Sequence, residues 1–501
     1  MNPDIAAGFI AATLPGSLLA TAIGAVLGLI VGMIPGVTVS TGIIMVLPLT
    51  FALDPTISIA LLLGIYAGGM TGGSFSAVLL NIPGTPSASA TILDGYPMAR
   101  KGEAGRAISV SIVASFAGGF FSFLCLYFIA PSLADLALRF QAPDLFSVVF
   151  FGLTVICTFA ARSPVKGLLS AVLGLAIVTI GQDPVMGTAR FTFGNADMLS
   201  GIHFLSALIG LFAIPQLVEN MMDLARGAVE QRTRTRMGSL FLGLADLKAM
   251  GMPVTIGSVI GAFIGILPGA GGPIAAFIGY DYAKRWSRDP DRFGKGCVEG
   301  IAAPEAANNA VTGGALIPMM TLGIPGDPIT AIMIGALLVH GLAPGPLLFM
   351  QRGDFAYALI WSFMWANILT LVISLAGVRL LVKVLAAPKT LLMPSIAILC
   401  VIGSYALRNS FFDVWVMLAF GLLGIAMRYI DMPVVPMLLA LVLGRQLEEY
   451  LRLALTASKG DPAVFVTSPF SLLFLVLSVV SIVWAFAAGR RSGGPQSAPA
   501  A

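Results

Sequence analysis

The sequence predicts an all-α, polytopic membrane protein. It is expected to consist of two inverted-topology repeats whose helices are broken or fold back as re-entrant hairpins, with about 10–12 membrane segments. Three observations carry that expectation. The 501 residues are 57% hydrophobic and only 10% charged, whereas a soluble domain carries about 25% charged residues. The 57 glycines and 31 prolines are spread through apolar runs, as polytopic membrane proteins tolerate. The breaks also recur in order. Gly24, Gly28, Gly32, Pro35 and Gly36 return 233 positions later as Gly257, Gly261, Gly265, Pro268 and Gly269. Ile82-Pro83-Gly84-Thr85-Pro86 returns 242 positions later as Ile324-Pro325-Gly326-Asp327-Pro328.

Taken along the chain, the first helix follows Asp4, the one charge near the N-terminus. No basic n-region of a secretory signal precedes it, so the helix is expected to remain in the mature protein. The runs 108–130, 145–160, 168–180, 204–222, 356–378 and 470–488 read as helices, since about 20 apolar residues span a bilayer. The alternating short strands of a β-barrel are not seen. The first repeat is placed at 10–235 and the second at 240–455, with the basic run 226–236 as linker. A closing helix is expected over 465–490 and a polar, disordered tail over 491–501. Weaker echoes run down the halves: Ala142-Pro143 with Ala387-Pro388, Arg162 with Arg408, and Gln216-Leu217 with Gln446-Leu447.

Charge then sets the orientation. Arg100, Lys101 and Arg106 follow the first Ile-Pro-Gly break, whereas its counterpart loop after the second break, 340–354, carries only Arg352. Before the breaks the asymmetry reverses: 52–56 has no basic residue and 284–295 is strongly basic. Positive loops stay in the cytoplasm, so equivalent loops fall on opposite faces, which is the mark of an inverted repeat. Arg139 and Arg190 sit awkwardly on the outer side. The C-terminus, after Arg490 and Arg491, is expected in the cytoplasm.

Several chemistries are excluded or weakly supported. Cys125, Cys157, Cys297 and Cys400 have no metal-ligand or disulfide spacing. His203 and His340 are far apart and read as helix-end residues. Gly294-Lys295-Gly296 lacks the hydroxyl residue of a phosphate loop, and Gly269-Ala270-Gly271-Gly272 only imitates a dinucleotide fingerprint. No cofactor and no nucleic-acid partner is expected. A membrane enzyme would need clustered Asp, His or Arg at one face, and the sparse charges argue against it.

The breaks are where chemistry is expected. Proline and glycine free backbone groups that hydrocarbon cannot satisfy, so such breaks survive only against protein, water or a solute. Gly36, Thr38, Ser40 and Thr41 form one hydroxyl-rich break, and Asn81, Gly84, Thr85 and Ser87 another. A helix restarting there presents free N–H groups and a positive dipole end, which suits a carboxylate. Helix capping is the competing role for each hydroxyl. In the second half, Gly269, Gly271 and Gly272 read as too glycine-rich for a helix and allow close backbone approach, with Gly326 at the later break. Glu305, Asn308 and Asn309 share one helix face. A carboxylate in a membrane helix costs on the order of 3 kcal/mol without partners, so these three, with Asp327, are candidates for a coupling sodium ion or a proton. Sodium is the favoured ion of the two.

At these residues the chain resembles the large membrane subunit of the tripartite tricarboxylate transporters, the TctA family. The resembling stretches are Pro35-Gly36, Gly64–Ser74, Leu80–Pro86, Asp94–Gly102 and Pro304–Asn309, in order along nearly the whole chain. Met70 and Thr71 stand where the family often has other residues. The resemblance implies a secondary transporter of the bacterial inner membrane that takes up small tri- or dicarboxylates with an ion gradient. It also implies a small membrane partner of about four helices and a periplasmic solute-binding protein. A stand-alone organic-anion symporter without a binding protein is the alternative.

Overall fold

The computed structural model describes residues 3–34, 37–159, 164–183, 186–225, 238–269, 271–384 and 389–491. In chain order its helices are α1 (Pro3–Thr13), α2 (Pro15–Met33), α3 (Val39–Thr50), α4 (Pro55–Leu80), α5 (Ile92–Arg100), α6 (Ala104–Ala137) and α7 (Ala142–Phe159). There follow α8 (Pro164–Val178), α9 (Phe204–Ala225), α10 (Leu244–Ile266), α11 (Gly271–Trp286), α12 (Glu299–Leu322), α13 (Pro328–Val339) and α14 (Pro346–Gln351). The last are α15 (Gly353–Val384), α16 (Lys389–Ala406), α17 (Phe411–Tyr429), α18 (Val434–Ala457), α19 (Val464–Thr467) and α20 (Pro469–Arg491). Among the described residues the only strands are the two-residue pair Gly181–Gln182 and Ala189–Arg190. Among the described residues, seven helices are long and apolar enough to span a bilayer. Four of the expected helical runs fall within observed helices; 168–180 overruns the end of α8 at Val178, and 145–160 follows α7 to Phe159. Residue 160, the basic linker 226–236, Arg162, the Ala387-Pro388 echo and the tail beyond 491 lie outside the described residues.

The chain forms two compact units, and each draws on both halves of the sequence: Met1–Leu138 with Leu205–Leu422, and Arg139–Phe204 with Leu423–Ala501. In the larger unit, α2 packs along α4 and α10 along α12. The glycines explain how closely. A Cβ at Gly24, Gly28 or Gly32 would run into the backbone carbonyls of Leu61, Ile65 and Gly69. One at Gly257, Gly261 or Gly265 would meet the carbonyls of Ala303, Ala307 and Val311. Each partner in the second set lies 242 residues after its partner in the first, so the two helix pairs share one register. Backbones approach this closely only where side chains are absent. The opposite faces carry exposed Leu19, Ile23 and Val26 on α2, and Val259 and Phe263 on α10, as surfaces meeting lipid do.

Other elements cross between the halves. The helix α6 packs on α12 and α15 on α4; α11 packs on the short 3-10 turn Pro86–Ser89, and α3 on α13. One loop is fastened by a carboxylate. Buried Asp94 of α5 accepts from the backbone N–H of Gly294, Gly296 and Cys297 at 3.0, 2.7 and 3.0 Å, and from the Tyr280 hydroxyl at 2.9 Å.

The smaller unit packs α8 and α7 on α18, and α20 on α7. Arg190 meets Glu448 at 2.7 Å and Asp183 at 3.4 Å, and Arg452 meets Asp183 at 2.9 Å and Glu448 at 2.7 Å. Two cations facing two carboxylates balance locally, which accounts for Arg190 departing from the charge pattern of its loop.

Candidate functional site: a polar centre between the helix breaks

A group of buried polar side chains in the larger unit lies where α4, α12 and the breaks meet. Both long helices end in the same way. Asn81 closes α4 in the left-handed region (φ 60°, ψ 25°) and Gly323 closes α12 there (φ 69°, ψ 16°). Each is followed by Ile-Pro-Gly. A Cβ on Gly84 would strike the Gly32 carbonyl, and one on Gly326 would strike Ala315 and the Gly265 carbonyl. The glycine of each break is thus required by close approach to the preceding helix pair.

The residues expected to bind separate into distinct groups. Gly36 lies outside the described residues. Thr38 caps α3, accepting from the Thr41 N–H at 3.2 Å with the two hydroxyls 2.8 Å apart; Ser40 is buried in the same turn. The α3 entry lies beside α4 at Gly69, against Val39. Asn81 is exposed. Gly269 (φ 82°) donates its N–H to the Gly326 carbonyl at 2.9 Å, tying two expected site glycines together.

The glycine run is shorter as a break than its composition suggests. Helix α11 begins at Gly271 (φ 67°) and already contains Gly272 and Pro273, because proline at a helix start loses no hydrogen bond. That start is close to two expected site residues: a Cβ at Gly272 would lie against the Ser87 hydroxyl and Asn308 Oδ1.

Glu305, Asn308 and Asn309 are all buried in α12, but they turn to different partners. The Glu305 carboxylate accepts from Thr91 at 2.5 Å and from Ser115 at 3.0 Å. Asn309 accepts from Thr71 at 3.1 Å and donates to the Glu305 carbonyl. Asn308 donates to the Met70 carbonyl at 3.2 Å. The two asparagines bond consecutive residues of α4, and neither bonds the hydroxyls that hold the Glu305 carboxylate. Nor does Glu305 cap a helix end; it is held mid-helix by hydroxyls from α6 and from Thr91 just before α5. Asp327 is engaged elsewhere. It caps α13 through the Thr330 N–H at 2.8 Å, the Thr330 hydroxyl bonds back to it, and Tyr66 of α4 donates to its second oxygen.

Sequence reasoning missed Tyr66, Thr91 and Ser115. Each is a polar residue inside or beside an apolar run, which is the available signal, but their partners lie 190 or more residues away.

An apolar helical bundle with paired helix breaks and a buried polar centre defines an integral membrane protein of the solute-transport class. More particularly, the chain belongs to the tripartite tricarboxylate transporter TctA family, whose model matches residues 18–439. It is 37% identical over 489 residues to an uncharacterized 52.8 kDa protein of the TAR-I ttuC' 3' region of Agrobacterium vitis, covering 98% of this chain and 97% of that one. It is 38% identical over 232 residues to an uncharacterized protein of the TAR-II ttuC' 3' region of the same organism, covering 46% of this chain and 96% of that one. No solved structure matches the chain.

Proposed function

We propose that this chain is the large permease subunit of a binding-protein-dependent system that takes up small tri- or dicarboxylates across the bacterial inner membrane. A small membrane subunit and a periplasmic solute-binding protein complete it, and the C-terminus lies in the cytoplasm. Family membership supports the class of solute. The observation that carries the mechanism is the crossing of broken elements: α11 rests on the first break and α3 on the α13 that follows the second. With the charge asymmetry of equivalent loops, this supports an inverted repeat, 10–235 against 240–455, working by alternating access.

Uptake is coupled to an ion gradient through Glu305. The hydroxyls of Thr91 and Ser115 donate to it, and no basic side chain bonds it among the described residues. Such a carboxylate is able to take up a proton, or to hold sodium with those two hydroxyls as further oxygen ligands. Asn308 and Asn309, three and four residues on in the same helix, are the candidate further oxygen ligands of a sodium ion there. Glu305→Gln keeps the shape and removes the charge. The variant should insert normally and lose ion-driven accumulation, measured in cells supplying all three components. Accumulation with the parent's dependence on sodium and pH would assign the carboxylate to structure.

A further inference from the structure

The shared register of the two helix pairs assigns each residue a counterpart. Tyr66 of α4 corresponds to Asn308 of α12, and Asp327 after the second break corresponds to Thr85 after the first, both pairs 242 residues apart. One cross-pair is closed: the Tyr66 hydroxyl bonds Asp327. The other is not. Asn308 Oδ1 and Thr85 Oγ1 are both buried, with the residues 0% and 3% exposed, and neither has a hydrogen-bond partner among the described residues. The same two sites in the fold are thus satisfied internally in one half and left with unmet hydrogen-bonding capacity in the other. A buried polar group in that condition costs about 1–3 kcal/mol.

The Thr85 hydroxyl, two residues before Ser87 in the same break, faces Gly73 of α4, and the surroundings of Asn308 say what would satisfy it. Asn308 Nδ2 is committed to the Met70 carbonyl, which can only accept, so Oδ1 is the atom left over and it needs a donor. Gly272 of the first turn of α11, a 16-residue helix, lies against that oxygen and against the Ser87 hydroxyl. The positive end of a helix favours an anion and opposes a cation. A ligand that is anionic towards α11 and Ser87, yet donates to Asn308, is a carboxylate carrying a hydroxyl group.

We propose that Thr85 and Asn308, with Ser87 and the start of α11, form the solute subsite and read a hydroxyl on a carboxylate. The Tyr66–Asp327 pair is its closed counterpart and takes no solute. The inference rests on the carboxylate-uptake reading and narrows it to one break.

The test uses the purified full-length chain in detergent and measures binding by calorimetry together with the thermal unfolding midpoint. The probes are malate against succinate, and citrate against tricarballylate, each pair differing by one hydroxyl. The parent should bind the hydroxylated member at least tenfold more tightly. Thr85→Val deletes a hydroxyl with no internal partner, so its midpoint should hold or rise while affinity falls about tenfold. Asn308→Leu should remove the preference for the hydroxyl. Tyr66→Phe should lower the midpoint and leave affinity unchanged. Equal affinity for both members of each pair, parental affinity in Thr85→Val, or lost affinity in folded Tyr66→Phe would each overturn the proposal while leaving carboxylate transport standing. Binding of none of the four would overturn the carboxylate reading itself.

Discussion

The two helix breaks of the larger unit share a backbone and differ in what holds it. Both begin at a left-handed residue, pass through Ile-Pro-Gly and press a glycine against the neighbouring helix pair. Beyond that point they part. The second restarts at once as α13, with Asp327 and Thr330 in a reciprocal capping box. The first restarts as the 3-10 turn Pro86–Ser89 behind Thr85, whose side chain caps nothing, and regular helix resumes only at Ile92. Residues 323–327 are buried, whereas Ile82 is 48% exposed. Glycine and proline therefore place a break, and the residue at the cap position decides whether the restarting helix is capped. Alternating access needs elements able to rearrange, and the loosely capped break is the better suited.

The largest effects are expected where the halves are alike. Gly28→Ala and Gly261→Ala each put a methyl group onto a backbone carbonyl with no flexible side chain to move aside. Overpacking of this kind costs about 3 kcal/mol. Both variants should lose comparable amounts of folded protein by size-exclusion chromatography. A large loss in one half with none in the other would break the equivalence of the two helix pairs.

Next come the cap positions, where the halves differ. Asp327→Ala removes a cap, worth about 0.5–2 kcal/mol, and strands the buried Tyr66 hydroxyl, a further cost of about 1–3 kcal/mol. Thr85→Ala removes no internal hydrogen bond and should leave the midpoint nearly unchanged. A similar midpoint loss in both would show that Thr85 has an internal partner, and the contrast between the breaks would disappear. Thr38→Ala should fall between them, at about 1 kcal/mol, because its cap bond to Thr41 lies in a short helix.

This gradient also marks how far the sequence could be read. The repeated glycines were legible because close packing admits no other residue, so spacing alone exposes them. The breaks were legible for the same reason. What the sequence concealed was pairing. Glu305, Asn308 and Asn309 lie three and four residues apart and share a helix face, yet Glu305 reaches α6 and the turn before α5 while both asparagines reach α4. Periodicity fixes the direction of a side chain from its own helix, and the identity of the neighbour depends on tertiary packing. The start of α11 inside the glycine run was hidden for a related reason: tertiary contacts outweigh low helix propensity. Asp327 was legible as an important residue, but its commitment to capping emerged only with Tyr66 in place.

The smallest effect separates backbone from side chain at the first break. Asn81 occupies a left-handed conformation that L-residues adopt at a cost of about 1–2 kcal/mol, least for asparagine and glycine. Its counterpart Gly323 has nearly the same angles without a side chain. Asn81→Gly should therefore change the unfolding midpoint by less than about 1 kcal/mol, whereas Asn81→Val should lower it clearly. The same variant tests whether the amide touches solute, since it deletes the side chain and keeps the turn. Asn81 is exposed whereas Thr85, Ser87 and Asn308 are buried, so solute affinity in Asn81→Gly should match the parent's. Weakened binding at an unchanged midpoint would extend the subsite across the break to its exposed side, and the first break would then act through its whole length.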